Sequence, residues 1–147
     1  MNGNANQIIT GVFYIHKMDH RDGSYDKSQW IIDEVSERNC FSNGYQSRWF
    51  STNHTTCWGL HIVNGRAAYL GKTSLMTRKI ERKSRNLFIA KFIDSNINSN
   101  WHGYPADPAR KTRGDIPPGH IVQLWANAQY IRPALVHKIV SGQLCKL

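Results

Sequence analysis

WGLHIVNGRAAYL, Trp58–Leu70, is the stretch that decides the fold class. Trp58, Leu60 and Ile62 alternate with Gly59, His61 and Val63, the two-residue period of a strand with one buried face. Asn64-Gly65 supplies the two positive-φ residues of a tight turn, and Arg66–Leu70 returns as the second arm of a hairpin. A hairpin of this kind calls for an antiparallel sheet.

Downstream, Lys72–Arg85 holds six Lys/Arg and one Glu. Leu75, Met76 and Ile80 can seat a short helix there, with Ser74 or Thr73 as its cap. Leu87–Ile93 (LFIAKFI) is the most apolar run and reads as a central strand buried on both faces, interrupted by Lys91. Ser95–Asp115 has almost no periodicity and carries Gly103, Pro105, Pro108 and Gly114, so it reads as a long ordered loop. Asp115 can cap a helix that begins with Pro117 and Pro118 and places Ile121, Leu124, Trp125 and Ala128 on one stripe. Pro133 opens a second helix, with Leu135, Val136, Ile139 and Val140 inward and Ser141-Gly142 as its stop.

Upstream, Ile8–His16 is dense in β-branched and aromatic residues and reads as a strand. Asp19–Asp26 is a turn region around Asp22-Gly23. Ser28–Arg38 reads as a helix capped by Asp26 or Ser28, with Asp33, Glu34 and Glu37 on its outer face. Asn39–Thr56 mixes polar and aromatic residues and resists assignment, and Met1–Asn6 should fray. The expected architecture is α+β and a single domain over residues 1–147. It has a mainly antiparallel sheet of about four strands, one N-terminal helix and a C-terminal helical hairpin.

The chain has 147 residues and a formal net charge of +9. Residues 1–38 are net negative, and the excess positive charge falls entirely in residues 39–147. Such an imbalance points to a polyanionic partner. The start lacks a basic leader segment, and no apolar run approaches the length of a membrane span, so a cytoplasmic protein that does not enter the membrane is expected. Three cysteines, Cys40, Cys57 and Cys145, suit reduced thiols better than a disulfide framework.

The candidate binding surface has two parts. Lys72, Arg78, Lys79, Arg82, Lys83 and Arg85 form a cationic segment. Arg110, Lys111 and Arg113 form a second cluster, just after the distinctive Trp101-His102-Gly103-Tyr104-Pro105. Cations hold phosphates, and Trp101 and Tyr104 in a loop can stack unpaired bases, which favours RNA or another single strand over duplex DNA. The competing reading makes these charges a solvated face and the two aromatics a lid on the core.

Three functions follow. The favoured one is a nucleic-acid-binding protein acting through residues 72–85 and 101–113. The first alternative is a small metal-independent ribonuclease, with His102 as acid or base, Lys91 or Arg110 stabilising the phosphorane, and Asp94 or Asp107 orienting the imidazole. The second is a protein-interaction module that docks its basic face on an acidic partner protein.

No cofactor or metal is expected. Cys40, His54, Cys57 and His61 have ligand chemistry for zinc but not a recognised spacing. Asp19, Asp22 and Asp26 lack the alternation of a calcium loop. Gly71-Lys72-Thr73 lacks the upstream glycine of a phosphate loop, because Arg66 stands in its place. The terminal helices could read DNA, with Arg132, His137, Lys138 and Gln143 near the second, but a packing hairpin is the simpler account.

Overall fold

The computed structural model describes residues 5–110 and 114–147. In chain order the elements begin with β1 (Asn6–Ile9), β2 (Val12–Tyr14), a 3-10 turn at Met18–His20, β3 (Gln29–Trp30) and α1 (Glu34–Gln46). The hairpin β4 (Thr56–Val63) and β5 (Arg66–Ala68) follows, then β6 (Gly71–Lys72) and α2 (Leu75–Glu81). The chain closes with β7 (Asn86–Leu87), β8 (Ile89–Ile93), β9 (Asn100–Ala106), α3 (Gly119–Asn127) and α4 (Leu135–Val140).

The hairpin forms as its sequence dictates. Val63 faces Arg66, with Asn64 at φ 52° and Gly65 at φ 78° in the turn. The fold is α+β, but the sheet is not a four-stranded antiparallel one. Six strands in the order β1-β2-β9-β8-β4-β5 form a half-barrel, and β2 runs parallel to β9. A second sheet joins β3, β6 and β7.

Three local differences produce this correction. Ile8–His16 folds back on itself at Gly11 (φ 78°), so one expected strand becomes two, and Asn6, expected to fray, pairs with Tyr14. The first helix starts at Glu34, not Ser28, because the Asp33 side chain accepts from Ser36 N–H and caps it, while Gln29–Trp30 pair with Gly71–Lys72. The expected loop 95–115 contains β9, which lies beside the central β8. Pro105 is tolerated in β9 because β2 has ended by Trp101, leaving no partner on that side for its missing N–H.

Strand alternation divides the sheet into two faces, each with its own cover. Tyr14, Cys57, Ala90, Phe92 and Trp101 point one way and pack with Cys40 and Phe41 of α1. Trp58, Leu60, Ile89 and Ala106 point the other way and pack with Ile121, Val122, Trp125, Leu135 and Ile139 of α3 and α4. Gly103 is required at the crowded first face. A Cβ there would sit 2.2 Å from Phe92 Cδ1 and 2.8 Å from the Lys91 carbonyl oxygen. Gly103→Ala is therefore expected to cost about 1–3 kcal/mol of stability, read as a lower urea midpoint with an unchanged slope.

Glu37 is the largest surprise of the first helix. Expected on the outer face, it is fully buried. Arg21 donates to its Oε1 from Nε (3.1 Å) and Nη2 (2.7 Å), the Tyr14 hydroxyl donates to its Oε2, and His16 Nδ1 lies 3.1 Å from Oε1. Burial, with Glu37 beside it, raises the Tyr14 phenol well above its ordinary value. The turn before β3 and the first turn of α1 are tied together by this one carboxylate.

Candidate nucleic-acid interface

The cationic segment 72–85 does not act as one patch. Arg85 is spent inside the protein. It donates to both oxygens of Glu81 (2.7 and 3.0 Å) and both of Asp107 (3.0 and 2.6 Å), so its charge is already balanced. Arg110 donates from Nη1 to Thr77 Oγ1 (2.8 Å). Lys79 rests its ammonium 5.5 Å from the Tyr25 ring centroid. Lys72, Arg78, Arg82 and Lys83 remain exposed. Lys111 and Arg113 lie outside the described residues.

The two aromatics of the expected site are placed differently, Trp101 in the core and Tyr104 half-buried. Trp101 is 3 % exposed and sits under α1, its ring 5.5 Å from Phe41 and 5.9 Å from Tyr45, so it cannot stack a base. Tyr104 is half-buried. Its ring stacks on His20 at 5.2 Å and its hydroxyl donates to Asp115 Oδ1 (2.8 Å). The strand alternation of β9 turns these two aromatics to opposite faces of the sheet.

Sequence order conceals a groove that gathers other cations. Lys83, Ser84, Arg85 and Asn86 line one part of it; Arg132, Lys138 and Lys146 bring three further cations, and Tyr69 an aromatic ring. Its volume is about 600 Å³, and no Asp or Glu lines it. Lys83, Arg132, Lys138 and Lys146 are all exposed. Arg132 keeps one direction fixed by donating to the Lys146 carbonyl (2.9 Å), and Tyr69 Oη accepts from Leu147 N–H (3.1 Å). A second groove of about 340 Å³, lined by Arg21, Lys72, Thr73 and Arg78, shares Ser84 with the first. The exposed cations that line the two grooves, Lys72 and Arg78 in the second and Lys83, Arg132, Lys138 and Lys146 in the first, are called the cationic track below.

The local folding explains the track. Ser74 caps α2 by accepting from Thr77 N–H (3.1 Å), and Arg82 ends that helix in the left-handed region at φ 62°. That reversal carries the chain from exposed Arg78 to exposed Lys83. Leu135 and Ile139 of α4 are buried in the core, which leaves Lys138 facing solvent. Arg132 and Lys138 were visible in the sequence only as members of a DNA-reading helix pair, and Lys146 carried no signal at all.

The residues of the ribonuclease reading are partly brought together. Lys91 and His102 lie on one sheet face, because Lys91 pairs with Tyr104 and Ile93 with His102. His102 Nδ1 donates to the Ile93 carbonyl (3.3 Å), which places the imidazole lone pair on Nε2. Burial, with Lys17 and His20 beside it, pushes this imidazole down to about 4. Burial also lowers the Lys91 ammonium, while Asp115 offsets part of the effect; its Nζ donates to the Gly114 carbonyl (2.7 Å). Asp107 does not join them, since it holds Arg85, and Asp94 accepts from the backbone N–H groups of Asn98 and Ser99. The imidazole is oriented by a backbone carbonyl and not by a carboxylate. Asp115, expected as a helix cap, instead accepts from Tyr104 and from Asp107 N–H (2.9 Å), and burial raises its carboxyl.

Cys40 and Cys57 are buried, and burial pushes both thiols up to about 12. Among the described residues no three His, Cys, Asp or Glu side chains come together as a metal ion would require, and no helix is long and apolar enough to cross a membrane. The chain matches no family model, and neither a curated protein nor a solved structure is similar to it.

Proposed function

We propose that the protein binds nucleic acid through the cationic track, with a single RNA strand as the preferred form. The observation that carries this is the pair of grooves sharing Ser84, which present the exposed Lys72, Arg78, Lys83, Arg132, Lys138 and Lys146 and are lined by no Asp or Glu. A row of cations without interleaved carboxylates suits a chain of regularly spaced phosphates, and each phosphate it neutralises releases condensed counterions. Tyr69 offers one aromatic ring at the wall, a contact that an unpaired base can use and a paired one cannot.

Fluorescence anisotropy with a labelled single strand, repeated across salt, tests the reading. Four to six phosphate contacts give a slope of log affinity on log salt of about −3 to −4. Absence of binding at low salt, or affinity that does not change with salt, contradicts it. Tight binding of an acidic protein in place of RNA also counts against it.

A further inference from the structure

A cavity of about 440 Å³ shares no lining residue with either cationic groove. Its volume is within the usual range of small-molecule sites. Arg48, His54 and His120 line it together with the rings of Tyr45 and Phe50, and no Asp or Glu is among its walls. We propose that this cavity binds a nucleoside monophosphate, free or as the phosphorylated end of a strand. Arg48 and the two histidines hold the phosphate, and the two rings contact the base.

The chain gathers these groups at a backbone cost. At the end of α1, Trp49 N–H donates to the Gly44 carbonyl (3.0 Å) and Arg48 N–H to the Tyr45 carbonyl (3.1 Å). This turn leaves Arg48 in the left-handed region at φ 59°, where helices prefer glycine. His54 closes the next turn by donating its N–H to the Ser51 carbonyl (3.0 Å), and it is left-handed too, at φ 58°. Such residues persist where the surroundings fix them, and they gather at ligand sites. The surroundings here are fixed. Trp58 N–H donates to the Trp49 carbonyl (2.9 Å), Ser51 N–H to the Thr56 carbonyl (2.9 Å), and Trp58 Nε1 to Ser51 Oγ (3.0 Å).

The chemistry of the walls selects the ligand. Arg48, His54 and His120 are exposed, and among the described residues their side chains have no hydrogen-bond or ion-pair partner. Arg21 and Arg85, by contrast, are held by carboxylates. His120 stands in the first turn of α3, which no side chain caps, and an uncapped helix start favours an anion beside it. A terminal phosphate has three acceptor oxygens and close to two negative charges, which suits three donors around one cavity better than an internal phosphodiester does. Tyr45 and Phe50 are half-buried, edge to face at 5.2 Å, so each presents part of its ring. Ser51 and Thr52 add hydroxyls at the same wall. Ser51 Oγ accepts from Trp58, which leaves its own O–H to donate. Phosphate donors, aromatic rings and hydroxyls together match a phosphate, a base and a ribose. A phosphorylated tyrosine would leave the hydroxyls unused.

NMR titration of the purified protein with the common ribonucleoside 5′-monophosphates tests the proposal, read at the amides of Tyr45, Arg48, His54 and His120. Saturable shifts there are expected with at least one nucleotide, and the matching nucleoside and inorganic phosphate should each bind about 10-fold or more weakly. Arg48→Gln should weaken nucleotide binding about 10-fold or more. Arg48→Gly should weaken it as much while raising the melting temperature by about 2–4 °C, because glycine is favoured at that φ, so the loss is not a loss of fold. A 5′-phosphorylated dinucleotide bound at least as tightly as the free nucleotide assigns the site to strand ends, and one bound more weakly assigns it to free nucleotide; both support the site. No saturable shift with any nucleotide, affinity unchanged in both Arg48 variants, or tighter binding of phosphotyrosine than of every nucleotide overturns the proposal. Shifts confined to Lys83, Arg132 and Lys138 overturn it too, yet leave the cationic track standing, since the track is judged by its own strand titration.

Discussion

Neutralising Lys83, Arg132, Lys138 and Lys146 together, each to glutamine, lowers affinity for single-stranded RNA several hundredfold at about 0.1 M salt. The size follows from counterion release. Each phosphate contact on a single strand contributes about 0.7 to the slope on log salt, so at that concentration each is worth about a factor of five. Four contacts multiply to several hundred, and the slope falls by about 3 in magnitude. The fold should survive, because all four side chains are exposed and only Arg132 makes a hydrogen bond, to the Lys146 carbonyl. Anisotropy titrations of the variant and wild type at several salt concentrations measure both quantities. An equal affinity would show that these charges are only a solvated surface.

Removing the buried carboxylate, Glu37→Ala, destabilises the protein by about 3–5 kcal/mol. The Arg21 guanidinium and the Tyr14 hydroxyl lose their shared partner at once. Because these groups sit in or against the apolar core around Phe41 and Phe92, water cannot replace the carboxylate cheaply. For a chain of this length the loss lowers the melting temperature by about 6–20 °C. The double variant Arg21→Met/Glu37→Leu should recover much of it, since no uncompensated charge is left behind. Urea unfolding of the single and double variants measures the difference. A single variant as stable as wild type would mean that the network contributes nothing net.

The parts of the fold legible in the sequence are those whose causes are local. The hairpin at Asn64-Gly65 needs only its own turn chemistry and its own alternation. The same holds for the Ser74 cap of α2, and for the apolar stripe of α4 with its stop at Gly142 (φ 69°). β9 was concealed because its causes are distant. Gly103 and Pro105 break an isolated strand, but here Phe92 fills the space above Gly103, and the end of β2 frees Pro105 from pairing. Gln29–Trp30 become extended because Gly71–Lys72 lie beside them, and nothing near Ser28 in sequence reveals that.

The candidate site follows the same division. The excess of positive charge after residue 38 is a property of composition and was plain. Which cations are free is a property of packing. Lys83 and Arg85 are two residues apart and look equivalent in sequence, yet Lys83 is exposed at the groove while Arg85 is held by Glu81 and Asp107. Arg132, Lys138 and Lys146 line one groove with Lys83 once Leu135 and Ile139 of α4 are packed into the core with Phe88 and Ile89. In the WHGYP pentapeptide, the expected roles separate by alternation. Trp101 belongs to the core under α1, and His102 and Tyr104 lie half-buried on the opposite face.

Backbone chemical-shift mapping during titration with a single strand lacking 2′-hydroxyls tests the central claim most directly. The account predicts saturable perturbations at Lys72, Arg78, Lys83, Ser84, Arg132, Lys138 and Lys146, with the outer face of α1 silent. Shifts confined to α1, or none at any salt concentration, would contradict it.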